Sequence, residues 1–209
     1  MNKEIIRRNR PGTIAADLYS WAPEDFSKMK GLFAVQEYIQ ELIRDNPSDI
    51  QKIITLPPEV DLGNWKYEHL RQFLLETNLL IVQLQGICTK QTCPKMKATD
   101  DWLYLCAVHK ETLECSAIDY MIHNLDQMTS ILNNSKLFAN RLQIKGSSLK
   151  NFDSIVRRLY RFFSHTYFHH KDIFQDFEVL FLISFIFLKL IKLKIKAYFL
   201  FDLKINLIL

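Results

Sequence analysis

Glycine and proline are scarce in this chain of 209 residues, which has five glycines and six prolines. Folds built from many short strands depend on these residues at their turns, so their scarcity favours helices over a β-sandwich. Hydrophobic residues make up 48% of the chain, which excludes a disordered polypeptide and predicts a packed core. A chain of this length fits one domain.

Cysteine is also rare, since only four occur, and four are few for a secreted scaffold held by disulfides. The N-terminal sequence MNKEIIRRNRPGT is charged and lacks the apolar core of a signal peptide, so we expect an intracellular protein. In a reducing compartment, a close cysteine pair binds metal more often than it forms a disulfide. Cys88 and Cys93, in the stretch ICTKQTC, are therefore candidate metal ligands.

A broad excess of basic residues is absent. The segment 179–209 holds five lysines and one aspartate, which leaves 22 basic and 22 acidic residues in the remainder of the chain. Nucleic-acid binding requires a basic face, so the neutral main part of the chain argues against that function.

Helical spacing of apolar residues predicts four main helices. Asn64 is the predicted N-cap of the longest one, which Gly86 ends, and Ser147 or Ser148 is the predicted cap of the last. The short apolar run 102–107 predicts a strand that could pair with the segment around Cys115 as a small hairpin.

A histidine cluster, SHTYFHH, supplies His165, His169 and His170 as partners for the cysteine pair. Zinc prefers four thiolate and imidazole ligands, and such a set would connect the ends of two long helices. No HExxH pattern accompanies it, so the predicted role is structural. A rival set remains open, consisting of Cys88, Cys93, Cys106 and Cys115. In the simpler interpretation Cys106 and Cys115 are buried thiols, and His69 and His123 are solvated or hydrogen-bonded.

Six motifs in order make the chain recognisable: RRNRPGT, WKYEHLRQF, C-x4-C, WLYLCA-x-HK, EC-x-AIDY and RRLYRFFSHTYFHH. Together they resemble the Mob family of kinase regulators, specifically its phocein branch, over about residues 5–178. The resemblance implies an all-α fold with a four-helix-bundle core, additional helices, a small β-hairpin and a structural zinc site. It also implies an adaptor without catalytic activity, in assemblies of a striatin-type scaffold, Ste20-like kinases and protein phosphatase 2A.

The family's zinc ligands match Cys88, Cys93, His165 and His170. Helix geometry alone favours His169, because residues four apart on a helix lie about 40° apart, whereas residues five apart lie about 140° apart. The family spacing H-x4-H selects His170, provided that the helix ends or loosens near Tyr167. His169 is the alternative ligand.

Three arginines lie close together on the last predicted helix: Arg157, Arg158 and Arg161. Guanidinium groups at this spacing repel one another unless they share an anion, and their forks suit phosphate oxygens. A solvated helix face paired with acidic residues is the alternative. The resemblance implies that these arginines and Lys110 bind phosphorylated kinase or scaffold segments. Glu111 departs from the basic residue of the better-known branch and makes this pocket less positive.

The predicted organisation has three parts: an extended arm (1–30), a helical domain (31–178) and an atypical tail (179–209) rich in Lys, Phe, Ile and Leu. The tail is interpreted as an altered transcript or gene model, as a basic segment on a membrane surface, or as a divergent last helix. We expect a cytoplasmic adaptor. The alternatives are a membrane-associated trafficking factor, peripheral on Golgi or other endomembranes, and a zinc hydrolase with Asp172 as its nearest acid.

Overall fold

Six α-helices form most of residues 8–181, the part of the chain that the computed structural model describes. They are α1 (Ala34–Asp45), α2 (Ile50–Ile54), α3 (Leu62–Leu84), α4 (Ala117–Leu132), α5 (Gly146–His169) and α6 (Lys171–Phe181), after two short 3-10 helices, Ala15–Asp17 and Phe26–Lys28. The prediction of an all-α fold is confirmed. Most of the predicted tail, residues 182–209, lies outside the described residues. No helix within the described range combines the length and apolar character needed to cross a bilayer.

Helix α3 is the central element of the fold. It contacts α1, α4, α5 and α6, and α5 in turn contacts α4 and α6. The Asp61 side chain accepts a hydrogen bond from the Asn64 backbone N–H at 2.9 Å, which satisfies one of the free N–H groups of the first turn. The predicted cap at Asn64 is therefore wrong, because the helix begins at Leu62. Asn64 itself is buried inside the first turn.

Helix α5 also begins earlier than its apolar pattern predicts. Its first residue is Gly146 and Lys145 occupies the cap position, so neither Ser147 nor Ser148 is the cap. Ser148 is buried, and its hydroxyl donates instead to the Leu137 carbonyl at 2.6 Å. This bond fixes the start of α5 against the loop that follows α4.

The loop between α3 and α4 contains paired backbone without strands. Two isolated antiparallel bridges join Lys97 to Leu103 and Cys106 to Leu113. Cys106 and Leu113 exchange both backbone hydrogen bonds, at 2.8 and 3.1 Å. The predicted hairpin is thus reduced to single bridged pairs in this loop, because the Cys115 carbonyl accepts from the Met96 N–H rather than from the run 102–107.

A buried ion pair connects this bundle to the α4–α5 loop. Glu68 on α3 has a side chain only 1% exposed, and Arg141 donates to its two carboxylate oxygens at 2.8 and 2.6 Å. Arg141 also donates to the Gln36 side chain on α1 at 2.9 Å. One guanidinium therefore holds together three parts of the chain that are distant in sequence.

The burial of Glu76 on α3 should make the stability of the protein depend on pH. Burial raises the pKa of Glu76 from 4.5 to about 7, against the hydrogen bond from Gln72. Between these two pH values the folded chain holds a proton that the unfolded chain has released, so stability falls as the pH rises. Glu76→Gln removes this loss, and we expect it to stabilise the protein by about 3 kcal/mol at pH 8 and little at pH 4.5.

Urea denaturation of both proteins at the two pH values measures this difference. Glu111→Gln is the control, because Glu111 is exposed and its neutralisation should leave stability nearly unchanged at either pH. An equal effect of Glu76→Gln at pH 4.5 and pH 8 would contradict the prediction.

Candidate functional site

The end of α3 positions the cysteine pair. Gly86 has a φ of +86°, a left-handed conformation that glycine adopts without strain and that stops the helix. The backbone N–H of Cys88 then donates to the Leu84 carbonyl at 2.9 Å, and that of Cys93 donates to the Thr89 carbonyl at 2.8 Å. This compact loop places the two buried thiols side by side.

The end of α5 positions the histidines. The helix continues to His169, two residues beyond the predicted end, and His170 has non-helical dihedral angles (φ −140°, ψ 54°). Leaving the helix brings the His170 ring to the cysteines, whereas His169 is exposed. The preference for His169 as a ligand assumes that the helix continues through residue 170. Because α5 ends at His169, the angle between helical positions no longer argues against His170.

The four side chains Cys88, Cys93, His165 and His170 form one cluster, in which all potential donor atoms lie within 4.8 Å of one another. The Sγ–Nε2 distance is 3.6 Å from Cys88 to His165 and 3.4 Å from Cys93 to His170. Bonds of about 2.3 Å to sulfur and about 2.0–2.1 Å to nitrogen place S and N about 3.5 Å apart around tetrahedral zinc. The donor set and its spacing therefore fit a zinc ion.

A hydrogen bond prepares His165 for metal binding. Its Nδ1 lies 2.8 Å from the Lys97 carbonyl, which can only accept, so Nδ1 carries the proton. In the neutral ring Nε2 is then left with a lone pair directed at the cluster. Histidine ligands of metals commonly donate their second ring N–H to a carbonyl in this way.

Burial disfavours charge on the side chains of this cluster. Burial, followed by the charge of Cys93, raises the pKa of Cys88 to about 12. Burial lowers the pKa of His165 to about 4 and also lowers that of His170, so both rings are neutral and able to coordinate. A divalent cation would favour the thiolate form that the buried cysteines otherwise resist.

The three predicted arginines lie on α5, and two of them contact α4. Arg157 is exposed, whereas Arg158 and Arg161 are half-buried. Arg158 donates to the Gln127 side-chain carbonyl, and Arg161 donates to the Tyr120 hydroxyl at 2.7 Å and stacks on Tyr104. Burial lowers the pKa of Arg158, and the positive charges of Arg161 and Arg157 lower it further.

Lys110 and its neighbour Glu111 are exposed in the loop that the Cys106–Leu113 bridge closes. Asp172, the acid considered for hydrolysis, is exposed on the first turn of α6 and is not part of the cysteine–histidine cluster. The rival set of four cysteines is divided, because Cys106 and Cys115 belong to a separate cluster.

Sequence reasoning missed several residues around these sites. Gln127 and Tyr120 accept hydrogen bonds from the arginines and Tyr104 stacks on one of them, and no residue spacing in the sequence indicates these contacts. His69 is fully buried, its ring lies edge-on to Trp65 and it bonds to the backbone of Ile53, so it is hydrogen-bonded rather than solvated.

With this geometry described, the chain can be compared with known proteins. The model of the Mob1/phocein family matches residues 18–204. The chain belongs to the Mob1/phocein family. The resemblance inferred from its motifs is thereby confirmed. The family match also includes part of the segment from residue 179 onward that the sequence analysis separates from the family pattern.

Individual members of the Mob1/phocein family agree with this assignment. The chain is 51% identical over 174 residues to MOB kinase activator-like 4 of Drosophila melanogaster, and 47% identical over 173 residues to MOB-like protein phocein of Caenorhabditis elegans. Both alignments cover 83% of this chain and 78% of the relative. Human MOB kinase activator 3A is 31% identical over 129 residues, 59% of each chain.

Proposed function

We propose that this protein is a non-catalytic adaptor that binds phosphorylated segments of protein kinases or their scaffold through Arg157, Arg158, Arg161 and Lys110. The names of its relatives support a regulatory role, since one is called MOB kinase activator-like 4 and another MOB kinase activator 3A. The main support for this proposal is that the groups in contact with the arginines carry no negative charge.

Those contacts are neutral. Arg158 and Arg161 donate to an amide oxygen and a phenol oxygen, and none of the three arginines forms an ion pair with an acidic side chain of the described residues. Their positive charge is therefore concentrated and uncompensated, which is unfavourable in the free protein and favours binding of an anion. A phosphate group offers the bidentate acceptor geometry that guanidinium groups match.

The cluster of Cys88, Cys93, His165 and His170 suits a structural role and not a catalytic one. Four protein donors complete a tetrahedral set and leave no position for a water nucleophile, unlike a catalytic zinc site with three protein ligands. The cluster connects the end of α3 to the end of the arginine-bearing α5. We therefore assign Cys88, Cys93, His165 and His170 to a structural zinc and propose no hydrolase activity.

Phosphothreonine peptides test this function. On an array of paired phosphorylated and unphosphorylated peptides, we expect phosphate-dependent binding by the wild type. A charge-assisted hydrogen bond contributes about 1.5–3 kcal/mol, so replacing Arg157, Arg158 and Arg161 together by alanine should weaken this binding at least about 100-fold. Fluorescence anisotropy with the best peptide measures the loss.

Arg44→Ala is the matched control, because Arg44 is an exposed arginine on α1 that stacks on Tyr19 away from the patch. It should bind the peptide as the wild type does. Absence of any phosphate-dependent binding by the wild type, or full binding by the triple variant, would overturn the proposal.

The partners we propose are a striatin-type scaffold, Ste20-like kinases and the protein phosphatase 2A assembly, in the cytoplasm, where thiols stay reduced and available to metal. Affinity purification and mass spectrometry identify them. Proteins that wild type retains and the triple arginine variant loses are the phosphate-dependent partners.

A further inference from the structure

A second group of four metal-binding side chains lies outside the cluster already described. It consists of Cys106, His109, Cys115 and His123, whose potential donor atoms all lie within 4.8 Å of one another. The sequence predicted Cys106 and Cys115 to be buried thiols and His123 to be solvated or hydrogen-bonded. Packing alone does not explain why two thiols and two imidazoles converge, because each of these side chains could be buried without the other three beside it.

We propose that Cys106, His109, Cys115 and His123 form a second structural zinc site. The sulfur–nitrogen distances are 3.1 Å from Cys115 to His109, 3.8 Å from Cys115 to His123 and 3.9 Å from Cys106 to His123. Their mean is close to the separation of about 3.5 Å that tetrahedral zinc imposes on sulfur and nitrogen ligands. The two imidazole rings are nearly perpendicular, at 87°, with centroids 4.8 Å apart.

The backbone places each donor without strain. Cys106 is fixed by its bridge to Leu113, and His109 lies within the loop that this bridge closes. Cys115 directly precedes Ser116, the N-cap of α4, and its carbonyl accepts from the Met96 N–H at 3.1 Å. His123 follows the cap by seven residues, which is two helical turns, so it lies on the same side of α4 as the cap.

The surroundings of Cys106 suit a thiolate ligand. Its side chain is fully buried, and the buried amide of Asn124 donates to its sulfur at 3.6 Å as well as to the Tyr120 carbonyl at 2.8 Å. N–H donors around metal-bound sulfur are a common outer layer of such sites. A disulfide between Cys106 and Cys115 would account for the two thiols and leave the two histidines without a role.

Mixed thiolate and imidazole donors select zinc among the common divalent ions, and four of them make a closed, structural site. The metal would hold the Lys110 loop against α4. Side-chain contacts link the site to the arginines of α5, since Asn124 donates to the Cys106 sulfur and the Tyr120 carbonyl, and the Tyr120 hydroxyl accepts from Arg161.

Metal content of the full chain tests the proposal. After desalting into metal-free buffer, we expect two zinc ions per wild-type chain by native mass spectrometry and elemental analysis. His109→Ala and Cys115→Ser should each hold one, His109→Cys should return to two, and His170→Ala should keep the ion of the second cluster. His169→Ala, which changes an exposed histidine outside both clusters, should hold two.

The ion lost from each variant identifies the site. A wild-type chain with a single zinc that survives His109→Ala but not His170→Ala would overturn the proposal, as would a Cys106–Cys115 disulfide in the freshly purified protein. A single zinc lost with His109→Ala and kept in His170→Ala would support it and argue against the first cluster. If the variants fail to fold, native mass spectrometry of the wild type decides: two zinc ions per chain support the second site, and one or none overturns it.

Discussion

Cys88→Ser is expected to abolish cooperative folding of this protein. The apparent binding free energy of a structural zinc is about 10–16 kcal/mol in small zinc domains, which is as large as the whole stability of a typical domain, about 5–15 kcal/mol. Without the Cys88 thiolate, the end of α3 is no longer held to His165 and His170. Circular dichroism during heating, with zinc content measured in parallel, should show a lost or strongly lowered unfolding transition.

Chelation of the wild type provides an independent measurement of the same dependence. A strong chelator should reproduce the effect of the substitution, and added zinc should reverse it. His169→Ala serves as the matched variant, because His169 is adjacent to the cluster but exposed. If Cys88→Ser holds as many zinc ions as the wild type and unfolds at the wild-type temperature, the cluster of Cys88, Cys93, His165 and His170 is not a structural metal site.

Arg141→Ala should cause the next largest loss, about 3–5 kcal/mol. The substitution leaves the Glu68 carboxylate with a side chain 1% exposed and without its bidentate partner. The remaining cation, Arg71, lies 3.8 Å from one carboxylate oxygen, too far to replace two short hydrogen bonds. Urea denaturation at pH 7 measures the difference in unfolding free energy.

An exposed ion pair provides the comparison. Lys52 lies 3.2 Å from Asp45, and their side chains are 52% and 55% exposed, so Lys52→Ala should cost less than about 1 kcal/mol. Adding Glu68→Gln to Arg141→Ala should recover part of the loss, because the unpaired charge disappears. Equal losses of unfolding free energy for Arg141→Ala and Lys52→Ala would contradict the prediction, because the buried ion pair would then stabilise the protein no more than the exposed one.

Local patterns predicted the helices well. The apolar spacing from residue 34 to 45 matches α1, and the pattern from 118 to 132 matches α4 within one residue. Both helices bury one face, so their periodicity is visible in the sequence. α3 is buried on several sides, and its start could be located only from the cap at Asp61, which lies outside the apolar pattern.

Long-range contacts could not be predicted in the same way. Glu68 and Arg141 are 73 residues apart, and nothing in either local sequence indicates their pairing. The cluster of Cys88, Cys93, His165 and His170 could be predicted because the family spacing pointed to His170, against the preference of an ideal helix. The second cluster follows no familiar ligand spacing, since it reads C-x2-H-x5-C-x7-H and its last donor lies within α4.

The two clusters enclose very different lengths of chain. The sulfur–nitrogen pairs of the first cluster are 77 residues apart in sequence, and those of the second are at most 17 apart. Closing the longer loop costs about 1.3 kcal/mol more conformational entropy, since this cost rises with the logarithm of loop length. If the proposed second site binds zinc, the segment from Cys106 to His123 would therefore close around the ion before α5 is made. Metal loading would then follow the order of synthesis, with the local site first and the connection to α5 last.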